Sequence, residues 1–180
     1  MSWEFIQASV ELAAEQSKEI SELVNSAYRG EGAKKGWTTE ADLLSGQRTD
    51  VASIRHLIEK DNSVMLLAEN ENSGKLEGCV HLEKHDEKCY LGMLTVKPTL
   101  QRQGLGAMLL EEAEAFAQFW DCTSIYMTVI AQRTELIQWY EKHGYKNSGE
   151  NKSFPYGDER FGIPKLQDLY FVVLEKKMAE

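Results

Sequence analysis

LGMLTVKPTLQRQGLGAMLLEEAEAF, residues 91–116, decides how this chain folds. A short apolar run ends at Pro98. A glycine-punctuated turn, Gln101-Arg102-Gln103-Gly104-Leu105-Gly106, follows at once, and a strongly amphipathic helix starts there. The order is strand, turn, helix N-terminus. Such a terminus carries unpaired N–H groups and a partial positive charge, so it attracts anions. Gly104 and Gly106 lack a Cβ, which lets phosphates lie directly against the main chain. Arg102 adds a positive charge beside them. The stretch therefore predicts a diphosphate site.

Working outward, three strands lead into the turn. Residues 64–69 form an apolar run. Residues 75–84 alternate Leu76, Gly78, Val80 and Leu82 against Glu77, Cys79, His81 and Glu83, and residues 88–97 form the strand before the turn. The links at 70–74 and 85–87 are too short for a crossover, so this meander is antiparallel. The helix from Gly104 or Leu105 to about Phe119 buries Leu105, Met108, Leu109, Ala113 and Phe116 on one face, with Glu111, Glu112 and Glu114 in water. Residues 124–130 are apolar throughout, as in a central strand buried on both faces. Strand, helix and strand make one right-handed crossover.

Upstream, residues 3–8 read as a first strand and Ser9 as the cap of a helix through Ile20, Leu23, Val24 and Ala27. A glycine-rich loop, 30–36, precedes a short turn of helix, TEADLL, capped by Thr38 or Thr39 and stopped by Gly46. Thr49 caps a further helix with Ile54, Leu57 and Ile58 inward. Downstream, a helix over 134–143 ends at Gly144. Strands over 145–152 and 169–176 flank a long loop, 153–168, and loops of that length inside a domain are often functional.

A length of 180 residues with 42% apolar side chains fits one domain with a real core. The net charge of −9, with scattered basic residues, repels nucleic acid and anionic membrane and favours the approach of a cation. Cys79, Cys89 and Cys122 have no metal-like spacing and read as reduced, buried thiols. No metal site is expected. No run of about 18 apolar residues and no leader-like segment is visible, which points to a cytoplasmic protein.

A nucleotide-hydrolase loop needs GxxxxGK[ST], which is absent, and GLGAML lacks the third glycine of a dinucleotide fingerprint. The longer pattern Leu94-Thr-Val96-x-Pro98-x-x-Gln101-x-x-Gly104-x-Gly106-x-x-Leu109-Leu110 resembles the acetyl-CoA-binding segment of the GNAT N-acetyltransferase superfamily. Ile137-Gln-Trp-Tyr140-Glu-Lys-His-Gly144-Tyr145 resembles that family's late helix, in the same order and at a similar separation. The resemblance implies a single α/β (α+β) domain over residues 1–180. Its central sheet would be mixed, mostly antiparallel and of about seven strands, with helices on both faces and a splayed strand pair at the cofactor site.

The resemblance also implies roles. Acetyl-CoA would be gripped by the main chain of Arg102, Gln103, Gly104, Leu105, Gly106 and Ala107, with Gln101 shaping the turn. Leu94, Thr95 and Val96 would bind the pantetheine arm. Tyr140 would protonate the departing thiolate. No carboxylate stands near Tyr90, where some members carry a glutamate, so Glu83 and His81 are the candidate bases. The family's asparagine, seven residues before the tyrosine, is replaced by Arg133, which with Glu135 reads as a helix-start pair. Tyr28, Glu31, Trp37, Tyr156 and Phe161 would form an aromatic and acidic pocket for an amine. The expected reaction is transfer of acetyl to a primary amine of a small molecule or protein, by a monomer or homodimer. A non-catalytic acyl-CoA-binding module and a protein binding another nucleotide diphosphate are the alternatives.

Overall fold

A computed structural model describes residues 2–29, 40–156, 158 and 162–178. Seven strands form one open sheet: β1 (Trp3–Gln7), β3 (Ser63–Asn70), β4 (Leu76–His85), β5 (Lys88–Val96), β6 (Ser124–Ile130), β7 (Lys146–Ser153) and β9 (Tyr170–Lys177). Their spatial order is β1-β3-β4-β5-β6-β9-β7. All neighbours are antiparallel except β5 and β6. That pair is parallel because the 15-residue helix α3 (Leu105–Phe119) carries the chain back across the sheet. The remaining elements are α1 (Ala13–Tyr28), α2 (Val51–Glu59), α4 (Thr134–Lys142) and a two-stranded ribbon of β2 (Leu44–Ser45) and β8 (Ile163–Pro164).

Helices cover both faces. On one, Leu105, Leu109, Ala113 and Ala117 of α3 pack with Val80, Leu82, Leu91 and Ile125. On the other, Ile20 and Val24 of α1 and Ile54 and Ile58 of α2 pack with Met65, Leu67 and Cys79. Burial of each strand's two faces by different helices explains why β3 is a continuous apolar run.

Two local features open the sheet. The β4–β5 register passes from Cys79↔Thr95 to His81↔Gly92, so β5 carries an extra residue there. Met93, at φ 50°, makes this bulge, and Thr95 Oγ1 donates to Met93 O at 2.8 Å. The β5–β6 ladder runs only from Lys88↔Ser124 to Tyr90↔Tyr126. Beyond it the strands part, while β6 stays paired with β9 along its whole length. The splayed strand pair is therefore present.

Two local expectations change. Leu12, not Ser9, holds the cap position of α1 and makes no side-chain cap bond, since Ser9 Oγ donates to Glu11. Asp50, not Thr49, caps α2 by accepting from Ser53 N at 2.7 Å. Residues 40–43 form one turn, closed by Leu43 N and Leu44 N on Glu40 O, and then enter β2. This is the short turn of helix expected there, and pairing of β2 with β8 takes over directly after it.

Candidate active site

The turn after Pro98 builds a groove. Gly104 sits at φ 89°, a left-handed conformation that disfavours any side chain, and forms the cap position of α3. The first intrahelical bond runs from Met108 N to Gly104 O at 3.1 Å. The amides of Leu105, Gly106 and Ala107 precede it and have no partner within the helix. Gln101 Nε2 donates to Val96 O at 3.2 Å and ties the turn to the strand end. The groove, about 210 Å³, is lined by Leu94, Val96, Gln101, Arg102, Gly104 to Ala107, Leu136 and Trp139, among others. A Cβ built on Gly104 meets no atom within 4 Å. Arg102 is exposed at the rim. An array of amides, an open cradle and a cation suit a diphosphate.

A larger cavity of about 360 Å³ lies beside it, under the gap between β5 and β6. Its lining includes Tyr28, Glu40, Arg48, Tyr90, Leu94, Arg133, Leu136, Tyr140 and Phe154. Leu94 and Leu136 line both spaces, so groove and cavity meet at those two side chains.

Tyr140, on α4, lines the cavity and is 4% exposed. Its ring stands edge-on to Trp139 and Tyr145. Burial pushes its hydroxyl far above the ordinary phenol value, so the proton stays on. Tyr28 is half-buried at the end of α1, and its hydroxyl donates to Leu94 O at 3.1 Å. Burial raises Tyr28 to about 12, against the opposing charges of Arg133 and Arg48.

Glu40 was not singled out by the sequence. Its Oε1 accepts from Arg29 Nε at 3.0 Å and Nη2 at 2.9 Å, and its Oε2 faces Arg133 Nη1 at 3.2 Å. Burial pushes the Glu40 carboxyl up, and Arg133 and Arg29 outweigh that, leaving it below the usual carboxylate value. Arg133 thus turns inward into a buried ion cluster and is not just a surface helix-start residue. The missing asparagine was the one visible signal for it. Leu136, one helical turn before Tyr140, could have been found from α4's periodicity.

Glu83 and His81 do not line the cavity. Strand alternation puts them on the α1–α2 face of β4, where neighbouring elements engage them. Glu83 forms an ion pair with Lys60 and lies 3.4 Å from His85 Nε2. His81 is buried, its Nε2 is 2.9 Å from Ser63 Oγ, and its ring is edge-on to Tyr90 at 6.1 Å. Burial lowers His81 to about 4.

Of the other expected residues, Thr95 spends its hydroxyl on the bulge and Gln103 is exposed outside the groove lining. Tyr156 braces the long loop, donating to Leu166 O and accepting from Leu169 N, both at 2.8 Å; its edge-on ring partner Phe154 lines the cavity instead. Glu31, Trp37 and Phe161 lie outside the described residues. The expected acidic pocket is not what the described lining carries: its single carboxylate, Glu40, is tied to arginines.

The family model for the Acetyltransferase (GNAT) family matches residues 17–145. The chain belongs to this family. The family's donor is acetyl-CoA, and its enzyme class is acyltransferase. YesJ of Bacillus subtilis, named as an N-acetyltransferase, is 35% identical over 69 residues, 38% of each chain. The match thus spans well under half of that relative's length. The ribosomal-protein-S18-alanine N-acetyltransferase of Escherichia coli superposes with a TM-score of 0.69 at 13% identity, over 99% of this chain and 95% of that one. The NatC complex bound to Gag peptide and CoA gives 0.70 at 16%, over 99% and 100%. A GNAT acetyltransferase of Elizabethkingia anophelis with acetyl-CoA bound gives 0.54 at 18%, over 64% and 76%. At these identities the likeness is one of fold. Among the described residues no helix is long and apolar enough to cross a membrane, and no cluster of potential metal ligands occurs.

Proposed function

We propose that residues 1–180 act as one N-acetyltransferase domain that transfers acetyl from acetyl-CoA directly to a primary amine held in the larger cavity. The observation that carries this reading is the junction at Leu94 and Leu136, where an anion-suited groove meets a larger cavity between parted strands. When bound, acetyl-CoA supplies an acyl group activated as a thioester. The amides from Leu105 to Ala107, with Arg102, hold the diphosphate. The main chain of β5 around Leu94 and Val96, past the end of its ladder with β6, would guide the pantetheine arm, and the Leu94 region would offer an N–H to the reacting carbonyl oxygen.

Tyr140 keeps its proton and donates a hydrogen bond to sulfur as it leaves. Its raised pKa makes it a stronger holder than giver of that proton, so it acts first by polarisation. An attacking amine must be neutral. Neither His81 nor Glu83 faces the cavity, and Glu40 is neutralised by its arginines. Deprotonation then falls to water, aided by the cationic lining, which disfavours an ammonium ion.

Thiol release from acetyl-CoA over an amine panel tests the reading. Tyr140→Phe should lower kcat on the order of a hundredfold while CoA affinity holds. Unchanged turnover would remove Tyr140 from the mechanism. Tight CoA binding with no acceptor-dependent thiol release would favour a non-catalytic binding module.

A further inference from the structure

The charge of the cavity runs against that of the chain. The whole sequence carries −9. The described cavity lining carries four cationic side chains, Arg29, Arg48, Arg133 and Lys152, against one carboxylate, Glu40. Glu40 engages Arg29 and Arg133. Arg48 is differently placed. It is half-buried, its guanidinium lies 5.5 Å from the centre of the Tyr28 ring, and its charge is felt by Glu40, but among the described residues no carboxylate makes a contact ion pair with it. Arg133 lies over the same ring, also at 5.5 Å. The Tyr28 hydroxyl in turn holds Leu94 O, at the junction with the cofactor groove. Arg48 is therefore one aromatic ring away from the place where an acyl group arrives.

A cation beside a cavity with no carboxylate in contact among the described residues is a recognition element for an incoming one. The cation–π contact with Tyr28 restrains the guanidinium, and its fork of donors suits a carboxylate in bidentate contact. Lys152, exposed on β7, adds long-range attraction at the rim. A space of about 360 Å³ suits a small molecule. A purely cationic amine, which the overall charge would attract, meets repulsion inside.

We propose that the acceptor is a small amine that also bears a carboxylate, with Arg48 binding the carboxylate and the cavity's charge keeping the amine neutral. The proposal rests on the transferase reading for its chemistry but makes a separate binding claim. The transfer balances simply: the amine nitrogen bonds the acetyl carbon, the carbon–sulfur bond breaks, one N–H proton is lost, and the thiolate gains a proton.

The test uses the common α-amino acids, their carboxamides and the matching decarboxylated amines. Each is titrated calorimetrically into CoA-loaded protein and assayed for thiol release with acetyl-CoA. At least one acid should bind and react about tenfold to a hundredfold better than its carboxamide, the span of one charge-assisted contact. Arg48→Gln should collapse that acid-over-amide ratio toward unity, Arg48→Lys should restore part of it, and CoA affinity should stay constant in both as the check on folding. If every carboxamide or decarboxylated amine binds as well as its acid, or if Arg48→Gln leaves the ratio intact, the proposal is overturned whatever the turnover. Preferential binding of an acid without any thiol release would sustain it and sink the transferase reading instead.

Discussion

Replacing Gly104 and Gly106 separately by alanine should shift stability in opposite directions and CoA affinity in the same one. Gly104 holds φ 89°, and a Cβ there touches nothing within 4 Å. The methyl group gains no packing, and the backbone strain of a left-handed alanine, about 1–2 kcal/mol, is offset only in part by a stiffer unfolded chain, about 0.4–1 kcal/mol. Gly104→Ala should therefore lose roughly 1 kcal/mol, a fall in Tm of about 2–4 °C. Gly106 lies in the first turn of α3 without positive φ, and its Cβ would meet Trp139 at 3.6 Å and Val96 at 3.8 Å, ordinary contacts. Alanine gains up to about 0.8–1.0 kcal/mol over glycine inside a helix, so Gly106→Ala should be neutral or more stable. Both methyl groups enter the groove that the Leu105–Ala107 amides face. Loss of one charge-assisted hydrogen bond to phosphate costs about 1.5–3 kcal/mol, which weakens CoA roughly tenfold to a hundredfold. Thermal unfolding and calorimetric titration with CoA read the two effects independently. A Gly106→Ala protein that melts no lower than the parent and binds CoA with unchanged affinity would refute the cradle.

Two further outcomes follow from buried charge. Glu40→Ala leaves Arg29 and Arg133 facing one another without their shared carboxylate and should lose about 3–5 kcal/mol, read from urea unfolding at neutral pH; a loss below about 1 kcal/mol would mean the cluster behaves like a surface pair. His81, lowered to about 4 from an ordinary 6.5, binds its proton in the unfolded chain before the folded one. Stability should then be unaffected by this group above pH 6.5 and fall as pH drops from 6.5 toward 4, by a total of order 3 kcal/mol; His81→Asn should flatten that limb of the urea midpoint against pH, and an unaltered limb would assign it elsewhere.

The cofactor side of the site was legible because its signals are local. Pro98, the glycines and the helical period of residues 105–119 lie within a few residues of one another, and backbone sterics act at that range. The same is true of Tyr140, placed by its helix and by the Gly144 stop. The acceptor side was not legible in this way. Alternation on β4 told that His81 and Glu83 share a face, but not that α1 and α2 cover that face and that Lys60 and Ser63 occupy the two side chains. The β2–β8 ribbon after the turn at residues 40–43 was not foreseen, because its two strands lie over a hundred positions apart.

What the amino-acid order alone determined is the strand–turn–helix cradle, the antiparallel meander and the position of the late tyrosine, since propensity, capping and periodicity are short-range forces. What only tertiary structure decided is the electrostatic character of the acceptor cavity. Glu40 meets Arg133 across 93 positions, Tyr28 reaches Leu94 across 66, and Arg48 comes to rest over Tyr28. Charges interact through space, so an acidic chain can enclose a cationic chamber that no count along the sequence reveals.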